Sequence, residues 1–183
     1  MKQAAVLALD LATTTGYAWH RPGMPRPFFG SFRLPGDARE TGKACDALER
    51  WLRDLYIILK ADGGISHFFY EAQHVGPKLN MDVLYKLIGL GATVEKFAFQ
   101  TGNRLCYRVN IAEWRKHFLG KGSGFKARGE NQKEMAIQRC GQYGWHTDVS
   151  DAAEALGILD YSLTMIPNYV RPWRDNALLG GQR

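Results

Sequence analysis

Residues 6–19 read VLALDLATTTGYAW, and the placement of Asp10 in that stretch decides how the chain is read. A near-continuous apolar run, Ala4–Leu11, has the pattern of a central strand buried on both faces. Asp10 sits at the end of that run, and a Thr-rich turn and Gly16 follow directly. Desolvating an unpaired carboxylate costs several kcal/mol, so Asp10 needs a purpose. It could serve a phosphate-binding turn, ligate a metal, or cap its own turn through an Asx-type contact.

Working outward, Gly16–His20 and Phe28–Leu34 read as further strands, separated by a turn rich in Pro and Gly (Pro22, Gly23, Pro25, Pro27). Short connections between the three make an antiparallel meander. From Ala38 to Ala61, Cys45, Leu48, Leu52, Leu55 and Leu59 recur at helical spacing, and Gly63-Gly64 ends that helix. ISHFFYEAQ (65–73) is a strand rich in β-formers that closes on Glu71. The long helix from Leu79, LNMDVLYKLIGLGATVEKFAFQ, is more apolar than a one-sided surface helix requires, which predicts a buried or subunit-facing position. RLCYRVN is a fifth strand, and Asn110 caps the short helix IAEWRKHFL. Past the loop GKGSGFKARGEN come two more helices, Gln132–Tyr143 and Asp151–Met165. The order predicts an α/β fold: a five-stranded mixed sheet, three antiparallel strands then two parallel, flanked by helices. Residues 1–170 are expected to form one domain, and 171–183 a C-terminal tail.

At 183 residues, with 45% hydrophobic and 23% charged residues, the composition is that of a soluble globular domain with a proper core. No apolar run approaches the roughly 20 residues of a membrane span. Asp10 interrupts the N-terminal apolar stretch, so no targeting segment is expected. Cys45, Cys106 and Cys140 are scattered without a CxxC spacing, which suggests a reducing, intracellular setting rather than a disulfide framework or zinc site. The net charge of +6 is concentrated between Arg104 and His146, where nine Lys or Arg face three Glu. That is the footprint of a polyanion-binding surface, or equally a solvated basic face.

Two further places carry unexpected carboxylates. Glu71 lies at the C-terminal end of an aromatic strand, where α/β sheets place their chemistry. In SDAAEALGILDYSL, Asp151 and Glu154 are three apart on a helix and point from nearly the same side. They border an apolar stripe of Ala152, Leu156, Leu159, Leu163 and Ile166. Each acid has a modest explanation: Asp151 favoured by a helix N-terminus capped by Ser150, Glu71 paired with a Lys, Asp10 bonded to its own turn. Taken together they belong to one core, and converging carboxylates repel unless a cation neutralises them. All-oxygen ligation suits Mg2+ or Mn2+. A pair of such ions roughly 4 Å apart is the usual arrangement for displacement at phosphorus.

An Asp ending the first strand before a T/S-x-x-G-type turn, a Glu ending the fourth strand and a helix opening D-x-x-[DE]-A-L together resemble RuvC-type Holliday junction resolvases. These belong to the RNase H-like nuclease superfamily, and the shorter phage-encoded members look closest. The resemblance runs from Val6 to about Tyr161. It implies that Asp10, Glu71, Asp151 and Glu154 are the catalytic, metal-binding carboxylates, holding two Mg2+ ions with Mn2+ able to substitute. LGKGSG (119–124) with Lys133 resembles the family's phosphate-contacting loop and basic residue. The implied DNA contacts are Arg115, Lys121, Lys126, Lys133 and His74. The long helix from Leu79 matches the one through which the family forms two-fold homodimers. The implied activity is metal-dependent resolution of four-way junctions by paired cuts, leaving 5′-phosphate and 3′-hydroxyl ends. The implied setting is the cytoplasm, of a bacterium or of a phage host, with no membrane partner. The sequence departs from the family's pattern at Glu154, where Asp is more usual, and in a first turn one residue shorter than in cellular members. Asp148 also stands three before Asp151 and competes for the ligand assignment.

Other readings remain open from the sequence. LDLATTTGYA also resembles the first phosphate turn of actin-like sugar kinases and Hsp70-type ATPases, although the chain is too short for their two domains. A nuclease for other branched or flap DNA, and a non-catalytic branched-DNA-binding module, are the nearer alternatives.

Overall fold

The computed structural model describes residues 3–73, 80–103, 105–120 and 131–174. Strand β1 (Ala5–Asp10) pairs antiparallel with β2 (Thr14–His20), which pairs antiparallel with β3 (Phe28–Arg33). Helix α1 (Thr41–Lys60) leads to β4 (Ile65–Glu71), parallel to β1. Helix α2 (Met81–Gln100) leads to β5 (Cys106–Val109), parallel to β4. The sheet order is β3-β2-β1-β4-β5. Three helices follow: α3 (Ile111–Leu119), α4 (Gln132–Gln142) and α5 (Ser150–Ser162), the last running into a 3-10 turn, Leu163–Met165. This is the mixed five-stranded sheet expected from the sequence. None of the described helices is long and apolar enough to cross a membrane.

Alternation along β1 explains why that strand is apolar throughout. Leu7 and Leu9, with Phe68 and Tyr70 of β4, pack under α1 and α2 through Leu48, Leu52, Leu90 and Val94. Val6 and Ala8, with Phe69, face the opposite layer of Trp114 from α3, Ala136 from α4 and Leu156 from α5. The side chains of Asn80, Asn110 and Asn131 accept the Asp82, Ala112 and Lys133 amides and so start α2, α3 and α4.

Three local expectations are corrected. Helix α1 begins at Thr41 rather than Ala38, because residues 37–40 are held in a turn. There the Arg39 amide donates to Asp37 Oδ1 (2.7 Å) and the Asp37 amide to Glu40 Oε2 (3.1 Å). Ser150 does not cap α5: it is the first helical residue, and Val149 holds the cap position without a side-chain bond. Nor does α5 have an apolar stripe beside a wet face. Every residue from Ala152 to Asp160 is buried, since the helix is wedged between the sheet and helices α3 and α4.

The first four residues of the expected tail return to α5. Asp160, fully buried, accepts hydrogen bonds from Trp173 Nε1 (2.8 Å), Arg171 (3.4 Å), Arg174 and His117 (3.1 Å). Burial alone would push its carboxyl up. The bonds from His117, Arg174 and Trp173 outweigh that and hold it down at about 2. Residues 175–183 lie outside the described residues.

One glycine fixes how α5 meets the sheet. Gly16 is the β2 partner of Asp10, and a Cβ built there would lie 1.9 Å from the Asp151 carbonyl oxygen. Only a residue without a side chain lets the first turn of α5 rest beside the end of β1. Gly16→Ala therefore forces backbone apart by more than an ångström. The expected cost is about 1–3 kcal/mol, read as a Tm lower by roughly 2–10 °C. An unchanged Tm would contradict this close approach.

Candidate metal centre

The end of β1 and the first two turns of α5 converge because Gly16 admits them. Carboxylate oxygens of Asp10, Asp151 and Glu154 all lie within 4.8 Å of one another. Glu154 is buried, and Asp10 and Asp151 are half-buried. No hydrogen-bond donor reaches the Asp10 carboxylate among the described residues. The turn that follows closes on itself, with Thr15 Oγ1 donating to the Ala12 carbonyl (2.8 Å), so Asp10 does not serve as its cap.

The electrostatics follow from this geometry. Burial pushes the Asp10 carboxyl well above the usual range, and the charges of Glu154, Glu71 and Asp151 push it further, with Lys133 opposing. Glu154 is raised mainly by burial, against the pull of Arg115 and Lys133. Arg115 pairs with Glu154 at 3.3 Å, and Lys133 reaches Asp151 at 3.5 Å. Two cations thus offset part of the repulsion, and neither contacts Asp10.

Glu71 closes β4 beside the cluster, outside the group of three. Its Oε2 accepts a hydrogen bond from Trp114 Nε1 at 2.7 Å, not from a lysine. Burial raises its carboxyl, while that hydrogen bond and the Arg115 charge lower it. Asp148 is exposed and stands outside the cluster, so Asp151 is the acid that accompanies Glu154. Of the expected DNA contacts, Arg115 and Lys133 are at the site. His74, Lys121 and Lys126 lie outside the described residues.

Trp114 and Lys86 are site residues that sequence reasoning did not single out. Lys86, only 3% exposed, donates to the carbonyls of Gly36 and Asp37 at 3.3 Å each. It lines a cleft of about 410 Å3 with Thr13, Thr14, Lys133 and Asp151. A lysine or tryptophan at a helical core position carries no sequence signal of such a role.

A half-buried carboxylate without a donor among the described residues, within 4.8 Å of two others, has unmet demand for positive charge. Hard carboxylate oxygens of this kind fit Mg2+ or Mn2+.

No protein-family model matches the sequence, and no curated protein matches it. Solved structures do. The chain is similar to T. thermophilus RuvC in complex with Holliday junction substrate, with a TM-score of 0.64 and 14% identity over 88% of this chain and 96% of that one. A Thermus thermophilus RuvC structure gives a TM-score of 0.58 and 15% identity, over 84% and 90%. The chain has the RuvC fold. This is the RNase H-like arrangement of sheet and helices that the sequence led us to expect, shared with RuvC across nearly the whole chain.

The raised Asp10 pKa has a consequence for stability. A carboxyl whose folded pKa exceeds its unfolded value of about 3.9 stabilises the fold at low pH, and that contribution is lost as pH rises through the folded pKa. Without metal, Asp10→Asn is therefore expected to raise Tm at neutral pH by a few degrees, the gap closing towards pH ~4. Added Mg2+ should raise the wild-type Tm and leave Asp10→Asn nearly unmoved. A lower Tm for metal-free Asp10→Asn at neutral pH would contradict the repulsion described here.

Proposed function

We propose that the chain is a metal-dependent endonuclease that resolves four-way DNA junctions. The observation that carries this reading is Asp10, without a donor among the described residues and within 4.8 Å of Asp151 and Glu154, at the end of the central strand of a RuvC fold. Asp10, Asp151 and Glu154 would hold the metal, two Mg2+ ions or Mn2+ in their place, with Glu71 as the fourth carboxylate. When bound, such ions activate a water and stabilise the leaving oxygen at a phosphodiester.

The remaining steps belong to the chain's own groups. Arg115 and Lys133 stand beside the acids and would exchange these partners for phosphate oxygens as DNA arrives. The basic segment around them would hold the DNA arms chiefly through phosphates, so binding should weaken steeply with salt. Preference for a junction would come from shape and from a two-fold dimer making symmetric cuts. Support for the dimer comes from α2, where Met81, Tyr85, Ile88 and Phe99 are all more than half exposed. The first three share one face at helical spacing, as a subunit interface requires. The RuvC structure with a Holliday junction substrate, similar over 88% of this chain, supports the choice of substrate.

The test is cleavage of a synthetic four-way junction, a flap and a plain duplex with Mg2+ or Mn2+. Paired nicks at the junction are expected, abolished in Asp10→Asn while junction binding persists. Cleavage confined to the flap would reassign the substrate. Junction binding without any cleavage would instead identify a non-catalytic module.

A further inference from the structure

We propose that Trp114 is a positioning residue for the metal centre: its indole N–H holds one oxygen of Glu71 and leaves the other for the ion. The inference rests on the metal-centre reading above and adds to it a residue outside the carboxylate set. Glu71 ends β4 rather than lying on α5, so the scaffold that sets Asp151 against Glu154 does not orient it. Something else must.

Trp114 is fully buried in the first turn of α3, and its Nε1 donates to Glu71 Oε2 at 2.7 Å. No described donor reaches Oε1. Burial of an indole does not by itself produce such a bond, because the buried nitrogens of Trp19 and Trp145 have no partner among the described residues. The Trp114 ring is in turn fixed by α5. A Cβ at Gly157 would lie 2.9 Å from the ring and 2.8 Å from Phe118. Gly157, three residues beyond Glu154, is thus the gap into which the indole fits. The next residue, Arg115, lies with its guanidinium carbon 5.2 Å from the Trp114 ring centroid and pairs with Glu154 at 3.3 Å. Two consecutive residues of α3 therefore grip two carboxylates that come from different elements. Side chains that hydrogen-bond a metal ligand fix its orientation, and their loss typically weakens metal binding by about 10–100-fold.

The experiment is Mn2+ binding by calorimetry to the full chain, with no DNA present, for wild type, W114F, E71Q and W114F/E71Q. W114F should bind at least about tenfold more weakly. In the E71Q background, W114F should cost nothing further, because its partner's charge is already gone. Should W114F fail to fold, Mg2+ titration of 15N-indole-labelled wild type and E71Q gives the second readout. A Trp114 N–H resonance that shifts with Mg2+ in wild type and loses that response in E71Q supports the proposal. Equal affinity of W114F and wild type, the same loss with and without E71Q, or an indole resonance indifferent to Mg2+ would each overturn it. A wild type that binds no Mn2+ would instead overturn the metal-centre reading beneath it.

Discussion

Three carboxylates within 4.8 Å of one another, largely removed from water, set the terms for the rest of this molecule. At an effective dielectric constant near 20, two such charges 4.8 Å apart repel by about 3 kcal/mol, a sizeable share of the 5–15 kcal/mol typical of a whole domain's stability. Arg115 and Lys133 offset part of this through Glu154 and Asp151, but no donor among the described residues answers Asp10. The fold keeps these groups together against their repulsion, and a bound divalent cation would turn that cost into affinity.

Helix α5 is what resists the repulsion. Being buried on all sides, it cannot retreat from the sheet without opening the core on both of its flanks. Gly16 lets its first turn touch the strand pair beside Asp10, and Gly157 lets α3 close over it with Trp114 and Phe118. Its far end is tied by Asp160 to Arg171, Trp173 and Arg174. One helix thus supplies two of the acids and the contacts that hold them in place. This is why substitutions at Gly16 and Gly157 should be felt at the site.

Much of this was legible in the sequence because it rests on local patterns. Asp10 and Glu71 stood out as charges at the ends of apolar strands, and Asp151 with Glu154 by helical spacing. Asn110 showed itself as a cap. Features set by tertiary contact were not legible. A stripe was expected on α5, yet the helix is buried all round, because the packing of α3 and α4 on its outer side has no counterpart in its own periodicity. Gly16 was visible only as the end of a turn and the start of a strand, while its function is to admit a helix from more than 130 residues later in the chain. Trp114 was not singled out at all, since nothing local foretells that its nitrogen meets the end of β4.

The most direct test of the metal centre is a crystal structure of the chain soaked in Mn2+, with anomalous scattering used to locate the metal. The expected result is anomalous density ligated by Asp10, Asp151 and Glu154, with Glu71 alongside and Asp10 no longer without a partner. Carboxylates still held only by Arg115 and Lys133 at saturating Mn2+, with no anomalous peak between them, would contradict it.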